Sequence, residues 1–114
     1  MIQIYHNSRC GKSRNCLAII ENSNQEFQVI SYLKTPPSLD ELSQVIKQLN
    51  INPIDLVRKK EKIWIENFKD NEYDNNKLIM IMIEFPILIE RLIVIKNNLA
   101  IIGRNSDELK KFLS

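Results

Sequence analysis

The chain has 114 residues, 44% hydrophobic and 26% charged, and its 16 Lys+Arg against 14 Asp+Glu leave a formal net charge of +2. This balance is that of a globular chain with a packed core, and it excludes disordered, collagenous and low-complexity classes. The length suits one domain. The longest uninterrupted apolar run, residues 78–83, is far short of the roughly 20 residues that a membrane-spanning helix needs.

Residues 2–5 alternate and predict a short strand, and residues 6–11 break the pattern as a loop. Cys16, Leu17, Ile19 and Ile20 follow helical spacing within residues 12–21, and residues 22–24 end that helix with turn formers. Alternation returns over residues 26–33 around Phe27 and Val29. A second strand there should run parallel to the first through a right-handed crossover. After Thr35-Pro36-Pro37, Ser38 and Glu41 make a capping box for a helix whose apolar stripe is Leu42, Val45, Ile46 and Leu49. Asn52-Pro53 opens another short helix that ends near Arg58.

Trp64 and Phe68, four residues apart, suggest a short helix within residues 62–72. Asp74 caps a helix over residues 75–84 that stops before Pro86, and residues 86–90 add one helical turn. Residues 92–96 and 99–102 read as strands joined by Asn97-Asn98, a pair that suits the positive φ of a tight hairpin. A last helix covers residues 106–112. The order β-α-β, helical block, β-β-α predicts an α/β fold: a thioredoxin-like mixed four-stranded sheet with a helical insertion over about residues 38–90, all in one domain over residues 1–114.

The N-terminal residues lack a basic segment followed by an apolar one, so a cytoplasmic location is expected. There Cys10 and Cys16 are expected as thiols. The most basic stretch, Arg58-Lys59-Lys60-Glu61-Lys62, interleaves an acid and reads as a solvated helix face, so no nucleic-acid partner is expected.

The chemistry concentrates in His6-Asn7-Ser8-Arg9-Cys10-Gly11-Lys12-Ser13-Arg14, between the first strand and the first helix. The exposed amides and dipole of a helix N-terminus favour an anion. A cysteine placed there beside cations gains thiolate character and becomes a nucleophile. Arg9, Lys12, Arg14 and His6 are in sequence reach to supply the positive field. The mundane alternative for Cys10 is a small packed hydrophobe, and for Cys16, among Leu17, Ile19 and Ile20, that alternative is the expectation. Ser13 occupies the position of the second sulfur of a CxxC dithiol. With His6 the only histidine, no metal site and no Ser-His-Asp triad is supported, and the chain's two glycines make no phosphate loop. Arg58, Arg91 and Arg104 each lie near the end of a predicted element. Each could take a surface ion pair, with Glu90 and Asp107 as ready partners for Arg91 and Arg104, or bind an oxyanion bidentately.

Five collinear segments resemble the glutaredoxin-linked arsenate reductases, the ArsC family. They are the Cys10 segment, Tyr32-Leu33-Lys34-Thr35-Pro36-Pro37, Leu56-Val57-Arg58-Lys59-Lys60-Glu61, the stretch from Phe85 to Val94, and Ile102-Gly103-Arg104. The resemblance implies that Cys10 attacks arsenate and forms a thiolate–arsenic adduct. It implies that Arg58, Arg91 and Arg104 bind the oxyanion. On physical grounds His6 as imidazolium, with Ser13 and Arg14, is expected to support the thiolate and lower the Cys10 pKa. Glutathione would be the co-substrate and glutaredoxin the electron-supplying partner, with no bound cofactor or metal. The chain departs from the family's pattern at Ser8, Leu92 and Asn105, where proline is common. A cis peptide before leucine costs about 3 kcal/mol, so a trans Arg91–Leu92 bond is expected. Two other readings share this fold: a general thiol oxidoreductase, and an RNA-polymerase-binding redox regulator, against which Ser13 speaks.

Overall fold

The computed structural model of the chain describes residues 1–7, 10–103 and 105–114, with Lys12 described through its backbone. In chain order its elements are β1 (Ile2–Tyr5), α1 (Gly11–Asn22), β2 (Phe27–Ile30), α2 (Leu39–Leu49), α3 (Lys62–Asn67), α4 (Asn75–Glu84), β3 (Ile93–Lys96), β4 (Leu99–Ile102) and α5 (Ser106–Leu113). Short 3-10 turns cover Pro53–Leu56 and Pro86–Leu88. The chain forms two compact units, Met1–Thr35 with Arg91–Ser114, and Pro36–Glu90.

The first unit holds the whole four-stranded sheet, in the order β2-β1-β3-β4. β1 pairs parallel with β2 and antiparallel with β3, and β3 pairs antiparallel with β4. The register sets Ile2 opposite Phe27, and Ile4 opposite Val94, which in turn faces Ile101. Side chains in register share a face of the pleat. On that face Ile2, Ile4, Leu92 and Val94 pack with Cys16 and Ile20 of α1 and Leu109 and Leu113 of α5 in one buried cluster. Full burial of each such aliphatic side chain contributes about 1.5–3 kcal/mol. The core therefore fixes where α1 begins relative to the C-terminal end of β1.

Asn97 and Asn98 adopt φ of 53° and 65°, and so close the β3–β4 hairpin as their sequence predicts. β2 is shorter than the alternation suggests. It stops at Ile30 because Ser31 O accepts from the amides of both Lys34 and Thr35, which curls the chain into a turn. The Arg91–Leu92 peptide bond is cis, where the sequence reading expects trans. That expectation weighs only the local amide preference. Leu92 is placed by tertiary partners: it is buried in the core cluster, and its carbonyl accepts from Gly103 N–H at 2.6 Å.

The second unit begins with the predicted capping box. Glu41 N–H donates to Ser38 Oγ, and Ser38 N–H to Glu41 Oε1, both at 3.1 Å. Leu42, Val45 and Ile46 form the buried stripe of α2, and Asn50 ends it in the left-handed region. Asp74 caps α4 by accepting from Lys77 N–H at 2.8 Å. Trp64, Phe68, Tyr73 and Phe85 form an aromatic cluster with centroid spacings of 5.7–6.3 Å. A bridge between Val57 and Ile89, flanked by Arg58 N–H to Leu88 O and Glu90 N–H to Leu56 O, holds the two arms that carry Arg58 and Glu90 side by side. No described helix is long and apolar enough to cross a membrane.

Candidate active site

β1 ends at Tyr5 and delivers His6 and Asn7 to the start of α1. The amide of His6 continues the ladder to Ile30 O at 3.0 Å. Asn7 O accepts from Cys10 N–H at 3.1 Å, which closes a turn, and Cys10 O accepts from Arg14 N–H at 3.1 Å, the first bond of the helix. Cys10 is therefore the N-cap of α1, extended at φ −102° and ψ 123°, half-buried, with no side-chain capping bond. The first-turn amides of a helix lack intrahelical acceptors and carry its positive dipole end. No acidic residue stands in that turn. The arrangement suits negative charge on a sulfur or on an oxyanion.

Behind the turn, three polar residues are buried: His6, Asn7 and Ser13. Ser13 Oγ accepts from Asn7 N–H at 3.2 Å and lies 2.8 Å from His6 Nδ1. One hydroxyl thus ties the end of β1 to the first turn of α1. The position that a dithiol site would give to a second sulfur is here a structural clasp. Arg14 is exposed, and a Cβ placed on Gly11 would lie 3.8 Å from its Nη2, so the guanidinium folds back over the first turn. Burial, and secondarily the charge of Arg14, push the His6 pKa below its usual value. The imidazolium expected from the sequence is disfavoured here. The lowered pKa favours the neutral ring for His6, hydrogen-bonded to Ser13.

Cys16 lies in the core cluster, as its apolar neighbours in sequence predict. Its Sγ donates to Gly103 O at 2.9 Å, and no disulfide joins it to Cys10. Burial, and then the Cys10 sulfur, push the Cys16 thiol up.

The arginines differ. Arg91 opens the segment leading into β3, in the same unit as Cys10. Among the described residues it makes no ion pair, and its Nε is shielded from solvent with no hydrogen-bond partner. The neighbouring Glu90, a ready partner in sequence, accepts instead from Arg58. Arg58 Nε donates to Glu61 Oε1 at 3.2 Å and Nη1 to Glu90 Oε1 at 3.3 Å, all within the second unit. Glu61 is visible in sequence at the third position after Arg58. Glu90, 32 residues on, leaves no local signal. Nor does anything in the sequence mark Asn7 as a buried member of the loop. Arg104, Arg9 and Ser8 lie outside the described residues, as does the side chain of Lys12. The structure therefore brings together Cys10, His6, Ser13 and Arg14 at one helix start and, among the described residues, leaves the Nε of Arg91 in the same unit without a hydrogen-bond partner.

A family model described as the ArsC family matches residues 5–112. The chain belongs to the ArsC family. It is 44% identical over 95 residues to an arsenate reductase of Escherichia coli, covering 82% of this chain and 67% of that protein. An arsenate reductase of Neisseria meningitidis is 35% identical, covering 98% of this chain and 97% of its own. The solved arsenate reductase from Vibrio cholerae superposes with a TM-score of 0.90 at 40% identity, covering 96% of this chain and 95% of that one. The mixed sheet is thus the thioredoxin-like sheet of ArsC proteins.

Proposed function

We propose that this ArsC-family chain is a cytoplasmic arsenate reductase that works through Cys10, with glutathione as co-substrate and glutaredoxin as electron donor. The observation that carries the proposal is the solvent-shielded Nε of Arg91, which has no hydrogen-bond partner among the described residues. A buried guanidinium donor left unmet is costly, and a tetrahedral oxyanion would satisfy it. Cys10 at the N-cap of α1 supplies the nucleophile. The helix amides and Arg14 favour negative charge on its sulfur. His6 and Ser13 hold the loop that presents it.

In this reading the Cys10 sulfur displaces an arsenate oxygen as water and forms a sulfur–arsenic bond. Arg91, Arg104 and Arg58 bind the remaining oxygens and stabilise their charge. Glu61 and Glu90 hold the Arg58 guanidinium in one orientation. Glutathione then attacks the adduct, its sulfur bonding to arsenic while a second arsenate oxygen leaves as water. A pair of thiol electrons passed by glutaredoxin takes arsenic from pentavalent to trivalent, and the oxidised thiols leave as a disulfide. Water releases arsenite and restores the Cys10 thiol.

The test is NADPH-coupled arsenate reduction with glutathione, glutaredoxin and glutathione reductase. Turnover by the wild type is expected, abolished in Cys10→Ser and mostly kept in Cys16→Ser. Equal loss in both mutants overturns the single-cysteine mechanism. A folded wild type with a reactive Cys10 and no turnover overturns the arsenate reading in favour of a general thiol oxidoreductase.

A further inference from the structure

Cys16 takes no part in the chemistry proposed above, yet its thiol is bonded at a junction. Its Sγ donates to Gly103 O at 2.9 Å, and Gly103 N–H donates to Leu92 O at 2.6 Å. A Cβ on Gly103 would lie 3.6 Å from Cys16 Sγ and 3.6 Å from both Leu92 Cδ2 and Leu92 O, so the three residues are in packing contact. Leu92 directly follows Arg91, and Gly103 directly precedes Arg104. Cys16 itself sits on α1, the helix that starts at Cys10.

We propose that Cys16 is a positioning residue: through the two peptide groups of Gly103 its S–H ties the nucleophile's helix to both chain segments that carry Arg91 and Arg104. The inference rests on the reading of those arginines as oxyanion ligands. The burial that raises the thiol's pKa keeps on Cys16 the proton it donates, so the bond is a standing one at neutral pH. It also sets Cys16 apart from a resolving thiol, which must ionise and reach Cys10. Small displacements between a nucleophile and its binding groups are expensive, a shift of about 1 Å costing roughly a hundredfold in rate. A bond fixing the two sides to each other therefore acts on the reaction as well as on the fold.

The experiment compares arsenate KM and kcat for Cys16→Ala, Cys16→Val and Cys16→Ser, each with its melting temperature, and protection of Cys10 from iodoacetamide by arsenate. Loss of one buried donor predicts an arsenate KM raised about fivefold in the alanine and valine variants, with kcat less affected. Serine, which keeps a donor, should bring KM back to within about twofold of the wild type. Protection of Cys10 should weaken in the same order. Unchanged KM and protection in a folded Cys16→Val overturns the proposal and leaves the thiol a space-filler, and so does a Cys16→Ser that behaves as Cys16→Ala. A wild type showing neither turnover nor protection overturns the reading of the arginines instead, and the inference with it.

Discussion

Arg91 and His6 carry opposite lessons about charge at a buried site. Among the described residues the Arg91 Nε is shielded from solvent without a hydrogen-bond partner, and a buried donor left unmet costs roughly 1–3 kcal/mol. Arg91→Leu should therefore leave the melting temperature unchanged or raised while kcat/KM for arsenate falls tenfold or more, the loss of one charge-assisted pair. A variant that loses stability and keeps kcat/KM would mean that the guanidinium is structural. His6 has a folded pKa below its usual 6.5. As pH falls below 6.5 the unfolded chain takes up a proton that the folded chain resists, so stability present at neutral pH is lost on acidification. The melting temperature should drop between about pH 7 and pH 5. In His6→Gln that part of the drop should vanish, which a pair of thermal melts at the two pH values can read.

Among the elements, α5 starts on a single capping side chain. Asn105 Oδ1 accepts from the amides of Asp107 and Glu108 at 2.8 and 3.3 Å. Asn105→Ala should cost about 1 kcal/mol in urea unfolding, as N-cap losses do. Elements with this kind of local chemistry were legible in the sequence. The Ser38–Glu41 box, the Asp74 cap, the alternation of β1 and the Asn97-Asn98 hairpin all encode structure within a few residues. The end of β2, the cis Arg91–Leu92 bond and the pairing of Glu90 with Arg58 were not. Each is decided by partners brought together only by the fold. The same division runs through the candidate site. The Cys10 segment announced itself by its cations and its place between a strand and a helix. The neutral state favoured for His6 and the junction at Gly103 depend on burial, which no local pattern carries.

At the scale of the molecule, oxyanion binding and folding are linked. A ligand held only by the folded state at ten times its Kd adds about 1.4 kcal/mol of stability, which for a chain of this size is a shift of about 5 °C in melting temperature. Arsenate should produce such a shift in the wild type and less than about a third of it in Arg91→Leu, and differential scanning calorimetry reads it without any thiol donor present. The chain also carries its own optical probe. Trp64 is the one tryptophan, buried in the Pro36–Glu90 unit, with its ring 5.7 Å from Phe68 and 6.3 Å edge-on from Tyr73. An indole in so apolar a shell emits at short wavelength and accepts excitation energy from a tyrosine at that range. Its red shift on denaturation is therefore an unlabelled, ratiometric readout of the surroundings of Trp64 within that unit.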